Sequence, residues 1–430
     1  MSEFSSPASQ LLELEGIEDI DPSRNESTLP SYTRRPSAGC STVLMNRRTK
    51  KFTYKLAKSL TQPGISLSIS GDSKLSKDLP SFMEGDQVAG AVQISVHSGQ
   101  DIRSISVSLR GRVLTGRSSD GVFTFLNLHD TLWSGELGDL QAHKDPTGEY
   151  DYSWPFSLAL PKDVVVSPGN DGRSRTFPLP HTFVESGIPA RVLYQLVVSV
   201  KQSKWKRNRR VSTQIGYFQS NQSFRDLATS ADEPSDGTWK TLKTVTVTGS
   251  VAQFQHRPAS LDCTLSLKGS SSYTRGSAIP LRLEIQSQDR LALELLSSPD
   301  AVNVHLNRRI RYKDVQMFGG SSSRWSTVIE SVGAVTWVPQ AGEGNLSETT
   351  PSPDYYRSAL TGKLKLKRSL VPSASIANLS IEYFISLYPF SSPAFLSKDN
   401  KSTPLISRNV QINTDLSVYP DDLASLYNFD

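Results

Sequence analysis

Apolar residues recur at every second position along most of this chain, in short runs separated by turn-forming residues. The alternation is clearest in one stretch, at Val192, Tyr194, Leu196, Val198 and Val200. A repeat of two residues is the period of a β-strand that has one face in a core and one in water. Many such runs at regular spacing predict an all-β fold, built as two tandem antiparallel β-sandwiches. Helical periodicity is confined to residues 291–296, where we expect one or two turns.

Residues 80–111 show how the alternation is organised locally. Gly85–Asp86 is a turn signal ahead of a first run, and a second run follows after a further turn. In the first run we place Val88 on the face opposite to Val92. Gly90, inside that run, indicates a bulge or a close approach by another backbone. We expect the two runs together to form the edge of a β-sandwich.

Composition narrows the class of protein. The chain has 430 residues, a hydrophobic content of 37% and a net charge of +5, which is too small to make nucleic acid the expected partner. Its two cysteines, Cys40 and Cys263, lie far apart, which favours a reducing compartment over a disulfide framework. No apolar run approaches the roughly 18–20 residues of a membrane-spanning helix, and the N-terminus lacks the order of a secretory signal. We therefore expect a cytosolic protein.

The same order of features occurs twice along the chain: a strand, a turn with glycine, a strand pair, a long loop and one long strand. This repetition predicts two domains of one kind. The predicted organisation is a disordered arm at 1–42, a first sandwich at 43–218, a linker at 219–240, a second sandwich at 241–413 and an acidic tail at 414–430.

Several of these patterns resemble the arrestin family, in order and in spacing, over about residues 43–413. In the first half the resemblance is carried by Gly85–Asp86 before Val88–Gly90, Ile102–Gly111, Trp154–Pro161, Leu179–Pro180 with Phe183, and Val192–Val200. In the second half it is carried by Tyr273 and Gly276 before Ile279–Ile285, and by Ile376–Leu387. The openings of the first half, Lys51–Leu56 and Pro63–Ile69, look like those of fungal arrestin-like trafficking adaptors.

The resemblance implies a non-enzymatic adaptor that binds the cytoplasmic segment of a transporter or receptor. Arrestins often recruit ubiquitin ligases or coat proteins, so it also implies endocytic trafficking at the plasma membrane or endosomes. We find no equivalent of the polar core that makes visual arrestins sense phosphate, so the resemblance does not extend to phosphate recognition.

The predicted arm carries a short motif that fits this function. Leu29, Pro30 and Tyr32, in the sequence Leu-Pro-Ser-Tyr, resemble the peptides that WW domains of ubiquitin ligases bind. A proline-containing extended segment loses little entropy when it docks in an aromatic groove. The alternative is a chance tetrapeptide in a segment rich in serine and proline.

Two further motifs in the arm are weaker. Leu11, Leu12, Leu14 and Glu15 fit the pattern of clathrin-box peptides. The alternatives are a chance match, since five-residue patterns recur by chance, and an ordinary nascent helix, which leucine–glutamate repeats also form. Ser37 follows Arg34–Arg35–Pro36 and matches a basophilic kinase site, at which a phosphate could tune the binding of a WW domain. The alternative is an unmodified serine.

The densest charge run follows the clearest strand. It consists of Lys201, Lys204, Trp205, Lys206, Arg207, Arg209 and Arg210. Such a basic loop can attract anionic lipid headgroups or the acidic tail of a partner, each charge contributing about 1 kcal/mol near a membrane. The alternative is an ordinary solvated loop.

Motifs for catalysis or cofactor binding are absent from the sequence. Its six histidines are scattered, and none stands near a cysteine or carboxylate at metal-ligand spacing. No nucleophile elbow, phosphate-binding loop or dinucleotide fingerprint follows a predicted strand. We therefore expect no enzyme activity, no metal and no cofactor. The alternatives to the adaptor are an arrestin-fold coat or sorting-complex subunit similar to that of the retromer, and a secreted adhesin.

Overall fold

The computed structural model of the chain describes residues 49–59, 62–72, 78–96, 102–116, 121–137, 143–144, 150–167, 174–202, 207–219, 239–252, 257–269, 271–315, 323–339 and 355–414. We call the described residues up to 219 the N-half and those from 239 onward the C-half. No strand of one half pairs with a described strand of the other.

The N-half contains twelve strands. They are β1 (Thr49–Leu56), β2 (Gly64–Asp72), β3 (Ser81–Met83), β4 (Gln87–Val96), β5 (Ile102–Thr115), β6 (Val122–Ser134), β7 (His143–Lys144), β8 (Tyr150–Ala159), β9 (Asp163–Val166), β10 (Arg175–Pro178), β11 (Ala190–Gln202) and β12 (Arg209–Phe218). One sheet has the order β1-β2-β4-β8-β7, and the other has the order β3-β12-β11-β5-β6. Strands β9 and β10 form a separate hairpin.

The C-half contains a second set of twelve strands and one short helix. These are β13 (Trp239–Val251), β14 (Arg257–Lys268), β15 (Ser272–Thr274), β16 (Ala278–Ser287), α1 (Arg290–Leu296), β17 (Val304–Val315), β18 (Ser323–Ala334), β19 (Thr336–Pro339), β20 (Tyr356–Lys365), β21 (Ala374–Ile376), β22 (Leu379–Leu387), β23 (Phe395–Ser397) and β24 (Ile406–Asn413). One sheet runs β19-β20-β16-β14-β13-β23, and the other runs β15-β24-β22-β17-β18 with β21 beside β22.

The two halves share one strand arrangement. In each, a three-residue strand pairs in parallel with the last strand of the half, β3 with β12 and β15 with β24. In each, a buried tyrosine on the strand next to that last strand donates its hydroxyl to a backbone carbonyl upstream. Tyr194 donates to Pro180 O at 2.5 Å, and Tyr383 donates to Val371 O at 2.6 Å. The predicted all-β fold of antiparallel sandwiches is therefore confirmed.

The cores lie where the alternation placed them. The five alternating residues of β11, from Val192 to Val200, are at most 1% exposed. The corresponding residues of β22, from Leu379 to Leu387, are at most 2% exposed. Removing this much apolar surface from water, at about 25 cal/mol per Å², is the main term that stabilises each sandwich.

The interpretation of residues 80–111 needs two corrections. The stretch is not one edge, because β4 lies in the middle of one sheet and β5 lies in the other. Val88 is fully buried on the same face as Val92, since the two residues are separated by an even number of positions. The close approach predicted at Gly90 is confirmed: a Cβ atom there would lie 2.1 Å from Ser68 O.

The sequence was also incomplete as a guide to the strands. Residues 162–178 contain the β9–β10 hairpin, which the alternation of apolar residues does not indicate. Strands β18 and β19 were not predicted at all. The short helix α1 was predicted. It begins after Asp289, whose carboxylate accepts hydrogen bonds from the backbone N–H groups of Leu291 and Ala292. Among the residues that the structure describes, no helix is long and apolar enough to cross a membrane.

Candidate docking surface

The structure places the residues of the predicted basic run in different roles. Lys201, Arg207 and Arg210 are exposed around the turn between β11 and β12. Lys204, Trp205 and Lys206 lie outside the described residues. Arg209 is half-buried, and its guanidinium donates to Ala57 O at 3.1 Å and to Pro63 O. Arg209 therefore ties β12 to the first sheet of the N-half, which is a structural role that the sequence did not suggest.

Positive charge extends from this turn over the outward side of the sheet. Strands β5, β11 and β12 are adjacent, contain no Asp or Glu, and carry seven Lys or Arg residues. The register places Arg110 beside Gln195 and Arg210 beside Ser199, so both arginines lie on the side away from the core. Arg112 is two residues further along β5, on the same side. We call the outward side of these three strands the basic face.

The arginines of the basic face interact electrostatically with one another. Burial lowers the pKa of Arg110, and the nearby charge of Arg210 lowers it further. Burial likewise lowers the pKa of Arg112, with the charge of Arg110 as the second cause. Arg110 and Arg112 remain charged at neutral pH because an arginine side chain does not deprotonate in proteins. The face therefore holds like charges close together, and a bound anion would relieve their repulsion.

Arg112 also has a donor without an acceptor. Its Nε atom is buried and has no hydrogen-bond partner within the described part of the chain. A buried N–H without a partner costs about 1–3 kcal/mol.

A second basic region lies in a cleft between the halves. The cleft has a volume of about 480 Å³. From the N-half it is lined by Phe123, Arg175 and Phe177, and from the C-half by Arg311, Lys313 and Trp325, among others. Its walls thus combine cations with aromatic rings, which suits an extended segment that has both acidic and apolar side chains.

Contacts among side chains of β17, β18 and β22 set which cations of this cleft are already paired. The Arg311 guanidinium lies over the ring of Trp325, 5.4 Å from its centroid. Arg309, the next outward residue of β17, donates to Glu382 Oε2 at 2.5 Å and stacks on Phe384. Arg309 is therefore neutralised by its own sheet, whereas Arg311 stacks on a ring that stays 45% exposed.

A charge cluster joins the two halves. Arg308 of β17 has only 6% of its side chain exposed and donates to Glu185 Oε1 of the N-half at 2.5 Å. The same guanidinium pairs with Glu330 of β18 and contacts the Tyr383 hydroxyl. Burial alone would lower the pKa of Arg308, but the hydrogen bond and charges of these partners outweigh it and raise that pKa. No local pattern in the sequence indicates this cluster.

His181 is a further buried polar residue of the N-half. Its Nδ1 accepts from the backbone N–H of Gln219 at 3.3 Å, which leaves the proton of the neutral ring on Nε2. Burial, with a smaller contribution from Arg275 of the C-half, lowers the pKa of His181 to about 3. The ring is therefore neutral at physiological pH, and it packs edge-to-face against Phe218 of the same half.

The motifs of the predicted arm, at Leu11, Leu12, Leu14, Glu15, Leu29, Pro30, Tyr32 and Ser37, lie outside the described residues. Within the described ranges, no group of three or more His, Cys, Asp or Glu side chains is arranged to hold a metal ion. Comparison with protein-family models and with curated proteins found no match to this chain.

Proposed function

We propose that the chain is an arrestin-like adaptor that binds an acidic cytoplasmic segment of a membrane protein, such as a transporter or receptor. The observation that carries the proposal is the basic face, on which Arg112, Arg110 and Arg210 lie together with no acid on β5, β11 or β12. The repeated sandwich arrangement supports the likeness to arrestins that the sequence suggests.

The proposed segment is acidic because the surface offers cations, of which Arg110 and Arg210 are exposed. Carboxylates of the segment would pair with the arginines of the basic face. This binding would reduce the repulsion among the like charges of those arginines. Apolar residues of the same segment would contact Phe123, Phe177 and Trp325 in the cleft. Since Trp325 is 45% exposed, covering it would remove further apolar surface from water.

In the same proposal, the arm recruits the enzyme that modifies the client. Leu29, Pro30 and Tyr32 bind the WW domain of a ubiquitin ligase, and the ligase ubiquitinates the bound membrane protein for endocytosis. The adaptor works in the cytoplasm, at the surface of the plasma membrane or of endosomes. It is not itself an enzyme and needs no cofactor.

The proposed binding of the client is tested by titrating a fluorescent acidic peptide against two variants. In Arg110→Gln/Arg210→Gln we expect the affinity to fall at least tenfold. The control, Lys363→Gln/Lys365→Gln, removes the same charge from two exposed residues of β20 and should leave the affinity nearly unchanged. Equal losses in both variants would show that only net charge matters. If the chain binds anionic vesicles and does not bind the peptide, the ligand of the basic face is a membrane surface and the proposed protein segment is excluded.

The ligase half is tested by co-purification from the native cell. Tyr32→Ala should abolish recovery of the ligase and leave the melting curve unchanged. Ser31→Ala changes the variable position of the motif and serves as the matched control, which should retain the ligase. If Tyr32→Ala also retains it, the arm has no part in recruitment.

A further inference from the structure

Strand β18 is an open edge of the C-half. It pairs with β17 on one side, and no described residue pairs with it on the other. The register with β17 is regular from Ser323 to Ser331, and only beyond Ser331 does a bulge interrupt it. An edge of this kind presents unpaired N–H and C=O groups to any extended chain.

Part of the usual protection of an edge strand is missing from β18, whose charged residues are Arg324 and Glu330. Its sequence contains no lysine and no proline, and its one bulge lies near the end. Two large apolar side chains on its outward side, Trp325 and Ile329, are 45% and 65% exposed. A flat edge with exposed apolar residues is a site for strand addition.

We propose that the occupant of this edge is β18 of a second copy of the chain, paired antiparallel about a two-fold axis at Thr327. In such a pair the same surface serves both copies, and Thr327 faces its own counterpart. Trp325 then faces Ile329 of the second copy. Arg324 faces Glu330 of the second copy.

The charges select this register. Arg324 and Glu330 are the only charged residues of β18, and Thr327 is the midpoint between them. A two-fold axis at Arg324 or at Glu330 would instead place like charges opposite each other, which destabilises a strand pair. Glu330 is 40% exposed although it pairs with Arg308, and a carboxylate has a second oxygen for an arginine of the other copy.

The midpoint of the regular register is the same residue. The unbulged part of β18, Ser323–Ser331, is centred on Thr327. The whole flat part of the edge is therefore used by both copies at once. Charge, apolar contact and geometry each favour the same axis.

A single strand pair is a small interface, well below the roughly 1,000 Å² of a stable complex, so this dimer forms weakly and depends on concentration. Even a weak dimer would strengthen the binding of a client. The sheet that contains β18 in one copy would continue into the same sheet of the second copy. The cations Arg311 and Lys313 of both copies would then lie on the same side of this joined sheet. A client with two acidic segments, or two clients in one membrane, would then be held through both copies.

The test begins with sedimentation velocity over a range of concentrations, where we expect a monomer to give way to a dimer. Arg324→Glu places acids opposite Glu330 in both copies and should raise the dissociation constant at least tenfold. Because Arg324 faces Asp314 of β17 in the register, a melting curve of the variant is measured in parallel, and it separates weaker pairing of the two copies from a loss of stability within one chain. A chain that stays monomeric at all concentrations overturns the proposal, as does a dimer that Arg324→Glu leaves unchanged.

Cross-linking tests the register independently. In a Cys40→Ser background, a short bismaleimide should join two copies of Thr327→Cys, whose thiols face each other. The matched control is Ser331→Cys, whose counterpart would lie about 27 Å away along the strand at 3.4 Å per residue. The remaining Cys263 is buried, and burial raises the pKa of its thiol to about 12, so it reacts little. Equal cross-linking of both variants would exclude the axis at Thr327.

Discussion

Arg308 and Glu185 form a hydrogen bond of 2.5 Å across the boundary between the two halves. Arg308 belongs to β17, and Glu185 lies between Phe183 and β11. The arginine is almost fully enclosed, whereas a third of the glutamate side chain reaches solvent. The pair therefore has the geometry of a buried ion pair with one partner still partly hydrated.

Removing Arg308 should destabilise the chain markedly. In Arg308→Ala the carboxylates of Glu185 and Glu330 remain near each other without their common cation. We expect the free energy of unfolding to fall by about 2–3 kcal/mol, at or below the lower end for a broken buried pair because both acids are partly exposed. Urea denaturation measures the loss. Arg290→Ala, which breaks the exposed pair with Glu294 on α1, should cost less than about 0.5 kcal/mol, and equal losses would contradict the burial argument.

The buried His181 predicts a pH dependence. Its folded pKa of about 3 lies below the usual value near 6.5, so between these values the unfolded chain binds a proton that the folded chain does not. Stability that is present above pH 6.5 is then lost as the pH falls, by about 2 kcal/mol at pH 5. His181→Gln should flatten this part of the stability curve.

The matched control for that experiment is His129→Gln, at an exposed histidine of β6. It should keep the slope of the parent chain between pH 7.5 and pH 5 in chemical denaturation. A slope that is unchanged in His181→Gln would show that other groups cause the acid sensitivity.

Gly90 should tolerate no side chain. A Cβ atom there would meet Ser68 O at 2.1 Å and the ring of Phe156 at 2.9 Å, and the first of these is backbone of the neighbouring strand. Gly90→Ala should therefore lower the free energy of unfolding by about 3 kcal/mol, the upper range for overpacking. Gly135→Ala meets nothing within 4 Å and is the control. Similar melting temperatures for the two variants would rule out the collision.

Binding of an acidic peptide to the basic face should depend strongly on salt. Exposed charges are screened over about 10 Å at 0.1 M ionic strength and over about 3 Å at 1 M. We expect the affinity for the peptide to fall at least tenfold from 0.05 M to 0.5 M salt, measured by fluorescence anisotropy. The fall should be smaller in Arg110→Gln/Arg210→Gln, and an affinity that does not respond to salt would refute an electrostatic surface.

The sequence predicted the strands that alternate between core and water, because burial of one face leaves a period of two in the chain. It did not predict β18, whose residues from Arg324 to Ala334 are exposed or half-buried and show no clear period of apolar residues. Val88 was assigned to the wrong face because Gly90, next to it on the same side, has no side chain to mark that side. The β9–β10 hairpin is too short for its alternation to stand out from a loop.

The candidate surface was predicted only in part, for a different reason. The sequence shows the charge run at the end of β11, but Arg110 and Arg112 come from β5, almost a hundred residues earlier. Only the register of β5 with β11 brings them onto the same side as Arg210. The pair of Arg308 and Glu185, separated by 123 positions, likewise has no local pattern that could reveal it.

The parallel pairing of β3 with β12, and of β15 with β24, has a consequence for biosynthesis. Each half places an early strand against its own final strand, so neither sandwich can close while its last segment is still inside the ribosome. The N-half can mature once Phe218 has emerged, long before translation ends. The C-half must wait for Asn413, and a nascent chain stalled shortly before that residue would expose an unfinished sheet to chaperones.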